Sequence, residues 1–296
     1  MPAETAIHQT HTVGASYDWA LPRHVHPSGW DTHRLIEAGD PYGPTVVLVH
    51  DGAFGTDSLL CWEGVIPALA DRYHVVAPDL IGWVGTDKLC YFDRSPYDYR
   101  LEHLAAVCRV LAVDDPVLYA GSSFGSELVA RGVAEPRWGC NARAAVAITG
   151  TGGRLYRVPG GIERLSDYTP SLEAARRLTA MLVHSTDGLD DHIRRRFTNS
   201  MAPGHWEALS ALGLRNPSAE RVVRPEHWPE PLLQCDVPVL FVEGSDDPLL
   251  EQGWAAKMAG LGDSFSSVVV PGGHEPNIEH PEDTGRLIRD FFDSCA

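Results

Sequence analysis

Six short apolar runs recur along the chain, each bounded by Gly, Pro or Asp: 45–50 (T-V-V-L-V-H), 73–78 (Y-H-V-V-A-P), 116–121 (P-V-L-Y-A-G), 144–149 (A-A-V-A-I-T), 237–243 (V-P-V-L-F-V-E) and 266–271 (S-S-V-V-V-P). They are rich in β-branched residues and nearly continuous rather than alternating. That pattern predicts strands of a mostly parallel sheet covered on both faces. Helical periodicity fills the intervals at 62–71, 99–111, 126–134 and 283–292. In 99–111, Leu101, Leu104, Val107, Cys108 and Leu111 fall on one stripe. Strand and helix in alternation predict an α/β fold.

The rhythm stops after about residue 152 and resumes at 237. Between them the pattern is helical, at 171–182 and 189–197, with Ser171 placed as an N-cap after Pro170. This predicts a helical cap inserted into one α/β core. The expected organisation is an N-terminal extension at 1–16, a core of 17–152 and 229–296, and a cap of 153–228.

Composition narrows the function classes. With 44% hydrophobic residues, a chain of 296 can bury a large core. The formal charge of -16, from 24 basic and 40 acidic side chains, would repel a phosphate backbone or an anionic bilayer. Neither nucleic acid nor membrane is expected as a partner. No run approaches a membrane span, and the first residues have no basic start or apolar stretch, so no signal peptide is expected. Six scattered cysteines without a C-x-x-C pair fit reduced thiols and a cytoplasmic location. His8 and His11 lack neighbouring ligands at metal spacing, and no metal is expected.

Candidate chemistry begins at Gly121-Ser122-Ser123-Phe124-Gly125, a G-x-S-x-G between a strand and a helix. Small residues flank the central serine because a sharp strand-to-helix turn crowds the backbone, so Ser123 is the candidate nucleophile. A serine hydroxyl needs a base. His274, in the P-G-G-H-E-P loop after the last predicted strand, is placed to supply it. Asp246 and Asp247 follow the preceding strand, and either could orient the imidazole. The chain order Ser, acid, His is that of α/β-hydrolases. Oxyanion donors are expected from the N–H of Phe124 and from Gly52 or Ala53 in H-D-G-A-F-G (50–55). Trp206, in M-A-P-G-H-W-E-A-L (201–209), and Phe197 point to an apolar or aromatic pocket.

From about residue 30 onward the chain resembles the α/β-hydrolase superfamily, and within it the hydrolases of meta-cleavage products, which cut a C–C bond in dienoates. The resemblance rests on W-E-G-V-I-P-A-L-A-D-R-Y-H-V-V-A-P-D-L-I-G (62–82) and on G-H-E-P-N-I-E-H-P-E (273–282), which fits G-H-x-x-x-x-E-x-P. It implies Asp247 as the acid, three residues after Gly244. It extends to D-Y-T-P-S-L-E-A (167–174) and D-D-H-I-R-R-R-F (190–197) in the cap, where it implies Arg196 as a ligand for a substrate carboxylate. It also implies a dimer. Three positions depart from the family pattern: Asp51 stands where a glycine is usual, Ser122 where asparagine is, and Glu275 where tryptophan is. As those positions line the family's site, Ser122 and Glu275 are expected to meet the substrate. The expected activity is serine-dependent hydrolysis of a small carbonyl compound without a cofactor, by C–C cleavage of a keto-acid or dienoate-like molecule. Ester or lactone hydrolysis is the alternative, and a non-hydrolytic cyclase or ligand receptor on the same fold the third.

Overall fold

All six apolar runs form strands in a computed structural model, which describes residues 21–26, 32–91, 94–113, 115–211 and 227–295. Among these, eight strands make one sheet: β1 (Leu21–Val25), β2 (His33–Ala38), β3 (Thr45–Val49), β4 (His74–Pro78), β5 (Val117–Ser122), β6 (Ala142–Ile148), β7 (Val239–Gly244) and β8 (Phe265–Val270). Their order is β1-β2-β4-β3-β5-β6-β7-β8. β1 and β2 run antiparallel to their neighbours, and the rest pair in parallel. The fold is that of the α/β-hydrolases.

The helices are α1 (Ser58–Trp62), α2 (Ile66–Ala70), α3 (Asp98–Val110), α4 (Phe124–Ala134), α5 (Gly161–Leu165), α6 (Leu172–Leu182), α7 (Asp190–Ser200), α8 (His205–Ser210), α9 (Trp254–Ala259), α10 (Pro276–Glu279) and α11 (Pro281–Ser294). Two apolar layers explain the continuous strand runs. Leu101 and Leu104 of α3, Leu128 of α4 and Trp254 of α9 pack on one sheet face. Trp62 of α1, Ile66 of α2 and Phe292 of α11 pack on the other. β3, β4, β5 and β7 are accordingly buried along their whole length.

Three differences from the sequence reading have local causes. The single helix expected at 62–71 is two, α1 and α2, because Pro67 fits the first turn of a new helix but not the interior of an old one. β1 and β2 were not expected, since L-P-R-H-V and H-R-L-I-E-A mix charged and apolar residues as antiparallel outer strands do. β8 is the open edge of the sheet, and Val269 is 60% exposed there rather than covered.

Between β6 and β7 the chain forms α5 to α8 and, among the described residues, no core strand. Ser171 caps α6 as expected, its hydroxyl accepting from the Ala174 N–H at 3.1 Å. This segment lies over the loop after β3. Tyr168, Ala174, Leu178 and Leu182 cluster with Ala53, and Phe54 and Trp206 pack against them. An Arg195–Glu63 ion pair adds a tie from α7 to the end of α1. Residues 1–20, with His8 and His11, and residues 212–226 of the expected cap lie outside the described residues. No helix among the described residues is long and apolar enough to cross a membrane, and all six cysteines are free thiols.

Candidate active site

The loops that follow β3, β5, β7 and β8 all leave the same end of the sheet, the carboxyl ends of the parallel strands, where ligands of such sheets bind. Each carries one piece of the site. Ser123 joins β5 to α4 with φ 52 and ψ -115, a conformation that costs energy for a residue with a side chain. The flanking glycines permit it. A Cβ at Gly121 would lie 2.4 Å from the Gly125 carbonyl carbon, and one at Gly125 would lie 2.2 Å from the Val49 carbonyl oxygen. The serine therefore stands out from the turn while its neighbours press on the chain beneath.

His274 and Asp247 reach it from two other loops. The Ser123 hydroxyl donates to His274 Nε2 at 2.8 Å, and His274 Nδ1–H donates to Asp247 Oδ2 at 2.9 Å. The second bond fixes the tautomer that leaves Nε2 free to accept a proton. Asp247 is in turn held by the Leu249 N–H, at 2.8 Å from Oδ1. Asp246, the other sequence candidate, is half exposed and accepts from the Ser245 hydroxyl. The imidazole loop is itself pinned. Thr149 donates to the His274 carbonyl at 2.7 Å, the Glu275 N–H donates to the Leu182 carbonyl at 2.9 Å, and Glu279 accepts from the Gly273 N–H at 2.6 Å.

Phe124 begins α4, so its N–H is one of the helix-start donors without an intrahelical partner. Gly52 abuts it, since a Cβ there would lie 2.7 Å from the Phe124 Cβ. Ala53 is a correction to the expected donor pair: its N–H already donates to Asp51 Oδ1 at 2.7 Å. Asp51 Oδ2 accepts from the Thr56 hydroxyl at 2.6 Å. The carboxylate thus turns into its own loop and braces it.

The structure also relocates the expected substrate contacts. Ser122 is fully buried and donates to Asn277 Oδ1 at 3.1 Å, while Asn277 donates to the Cys61 carbonyl at 2.9 Å. The Ser122 hydroxyl thus ties β5 to α10, after the His274 loop. Trp206 donates from Nε1 to the Tyr168 carbonyl at 2.8 Å and packs within the cap. Arg196 and Glu275 are fully buried and pair with each other at 3.4 Å. Burial, and then the Asp51 carboxylate beside it, push Glu275 well above the usual carboxylate range against the pull of Arg196.

Two histidines that sequence reasoning passed over hold the loop after β3 in place. His205 of α8 accepts from the Gly55 N–H at 2.9 Å and, through Nδ1–H, donates to the Gly82 carbonyl at 3.3 Å. Burial lowers its pKa to about 4, which keeps it neutral and able to accept. His50 donates from Nδ1 to the Asp51 carbonyl at 2.6 Å and accepts from the Leu80 N–H at 2.9 Å. The signal for His205 lay in the G-H-W-E run of the cap, but no spacing rule links it to residue 55.

A strained serine at the head of a helix, a histidine and an aspartate on later strand ends define the class. The sequence pattern of the Alpha/beta hydrolase family matches residues 46–286, and the chain belongs to that family. Two relatives over most of the chain are named as hydrolases. The chain is 28% identical over 282 residues to the 2-hydroxy-6-oxo-6-(2'-aminophenyl)hexa-2,4-dienoic acid hydrolase of Metapseudomonas resinovorans, covering 93% of this chain and 92% of that protein. It is 26% identical over 268 residues to the 2-hydroxy-6-oxo-2,4-heptadienoate hydrolase of Pseudomonas putida, covering 87% and 90%. The crystal structure of a serine hydrolase involved in carbazole degradation superposes with a TM-score of 0.76 at 27% identity, covering 93% of this chain and 99% of that one.

Proposed function

We propose that the chain is a serine-dependent hydrolase that cleaves a C–C bond beside a carbonyl in a small dienoate-like molecule. The observation that carries this is the unbroken chain of hydrogen bonds from Asp247 through His274 to Ser123, at 2.9 and 2.8 Å. The two relatives named as dienoate hydrolases support the bond type. In this reading the described part of the insertion, residues 153–211, acts as the cap over the site.

In the mechanism, His274 Nε2 takes the Ser123 proton as Oγ forms a bond to the carbonyl carbon. Asp247 holds the imidazolium that results. The N–H groups of Phe124 and Gly52 stabilise the tetrahedral oxygen. Collapse breaks the C–C bond, and its electron pair moves into a conjugated carbonyl on the departing fragment. His274 protonates that fragment. Water, deprotonated by His274, then splits the acyl-serine to the acid and restores Ser123. No step calls on a cofactor.

Ester or lactone hydrolysis by the same residues is the second reading. It is favoured by Arg196, whose guanidinium is engaged inside the protein. Both readings are tested by following the visible absorbance of a 2-hydroxy-6-oxo-dienoate and of its neutral dienamide, alongside an aryl ester, with Ser123→Ala as control. Bleaching that disappears with Ser123 supports C–C cleavage. Ester turnover without bleaching selects the second reading, and turnover by Ser123→Ala overturns both.

A further inference from the structure

The three departures from the family pattern look independent in the sequence, yet two of them meet in space. Asp51 and Glu275 lie close enough for one carboxyl to act on the other, one residue from Gly52 and His274 respectively. Both are buried, 1% and 0% exposed. Arg196, also 0% exposed, completes the group. Its Nη2 faces Glu275 Oε2 at 3.4 Å and His192 Nε2 at 3.3 Å, and its Nη1 donates to the Phe54 carbonyl at 3.3 Å. His192 is neutral, its pKa lowered to about 2 by burial and by the neighbouring arginines. The buried Cys61 thiol beside Asp51 is also uncharged. Glu279 is the remaining carboxylate that acts on Glu275.

Charge decides what this group can do. Two adjacent carboxyls away from water do not both ionise, and burial with its neighbours favours the protonated form of Glu275. Arg196 carries one positive charge. The set is therefore balanced before any substrate arrives. A carboxylate brought against it would be an unmatched buried charge, which is strongly unfavourable.

We propose that Arg196 is the internal counter-ion of the Asp51–Glu275 pair and not a receptor for a substrate carboxylate, so that the site selects carbonyl substrates uncharged at the end that meets this wall. The inference rests on the serine-hydrolase reading and narrows its substrate class. Within C–C cleavage it specifies a conjugated diketone without the terminal acid. Within ester hydrolysis it specifies a neutral acyl or lactone.

Charge counting supplies the test. Asp51→Asn leaves Glu275 as the single anion, and Glu275→Gln leaves Asp51; both keep the set neutral. The double variant leaves Arg196 unbalanced. Two neutral and anionic pairs are compared in the full-length protein: benzamide against benzoate as inhibitors of aryl-ester turnover, and a 2-hydroxy-6-oxo-dienamide against its dienoate as substrates. Wild type and both single variants should favour the neutral member by about tenfold or more, and the double variant should shift each ratio toward the anion by at least about tenfold. Thermal denaturation confirms that each variant is folded, and the wild-type ratios decide if the double variant is not. A wild type that prefers benzoate and the dienoate, with Arg196→Gln weakening only the anionic members, would overturn the proposal. Ester turnover that survives in Ser123→Ala would instead overturn the hydrolase reading, so the two failures are distinct.

Discussion

At the scale of single residues, adjacency in the sequence says little about role. Asp246 and Asp247 are neighbours, yet one lies at the surface and the other holds His274. Ser122 and Ser123 are neighbours, yet one hydroxyl is locked to Asn277 and the other meets the imidazole. The serine was legible because its turn imposes glycines two residues away on both sides. The histidine was legible because glycines and a strand end precede it. The pairing of Asp51 with Glu275 was not, because 224 positions separate residues whose contact depends on how two loops leave the sheet. Asp247→Asn would keep the shape but favour the wrong imidazole tautomer. It should lower kcat for an aryl ester by about a thousandfold or more with little change in KM or Tm. Steady-state kinetics and a melting curve check both halves of that expectation.

At the scale of elements, buried parallel strands announce themselves and outer strands do not. The interior strands are mostly apolar because helices cover both faces. β1 and β2 carry arginine, histidine and glutamate because one side of each meets solvent or a polar neighbour. For the same reason β8 reads as a core strand while standing at the edge: nothing in S-S-V-V-V-P reports the absence of a ninth strand. The β5–α4 turn is tightly constrained. Gly125→Ala would drive a methyl group against the Val49 and His50 carbonyl oxygens, 2.2 and 2.5 Å away. It should destabilise the fold by about 3 kcal/mol, seen as a lower urea midpoint. Ala53→Gly, on the next loop but with its N–H bond to Asp51 intact, should not reproduce that loss.

At the scale of the whole molecule, buried neutral histidines link stability to pH. His205 and His192 titrate at about 4 and about 2 in the folded chain, lowered by burial, and His103 is lowered well below its usual value. Unfolded, each would titrate near 6.5. Between about pH 4.5 and 6.5 the unfolded chain therefore binds these protons and the folded chain does not, which favours unfolding as pH falls. Glu275, raised in the folded chain, works in the opposite direction over part of that window. Three histidines outweigh one carboxyl, so stability should fall on acidification from pH 7 to 5 by about 1–3 kcal/mol per pH unit. Chemical denaturation at several pH values reads this slope, and His205→Gln should flatten it. A stability that rises on acidification would contradict the neutral assignment. The same histidine ties α8 to the loop after β3, so acid should loosen that contact before the sheet.

The central claim is that Ser123 is a nucleophile activated by His274, and its direct measurement is the mass of the intact protein after exposure to an aryl fluorophosphonate. The account predicts one covalent adduct, mapped to Ser123 by peptide analysis, and almost none in Ser123→Ala or His274→Ala. No adduct on the wild type, or an adduct mapped elsewhere, would contradict it. The hydrogen-bonded row of Asp247, His274 and Ser123 would then belong to a fold that binds carbonyl ligands without turning them over.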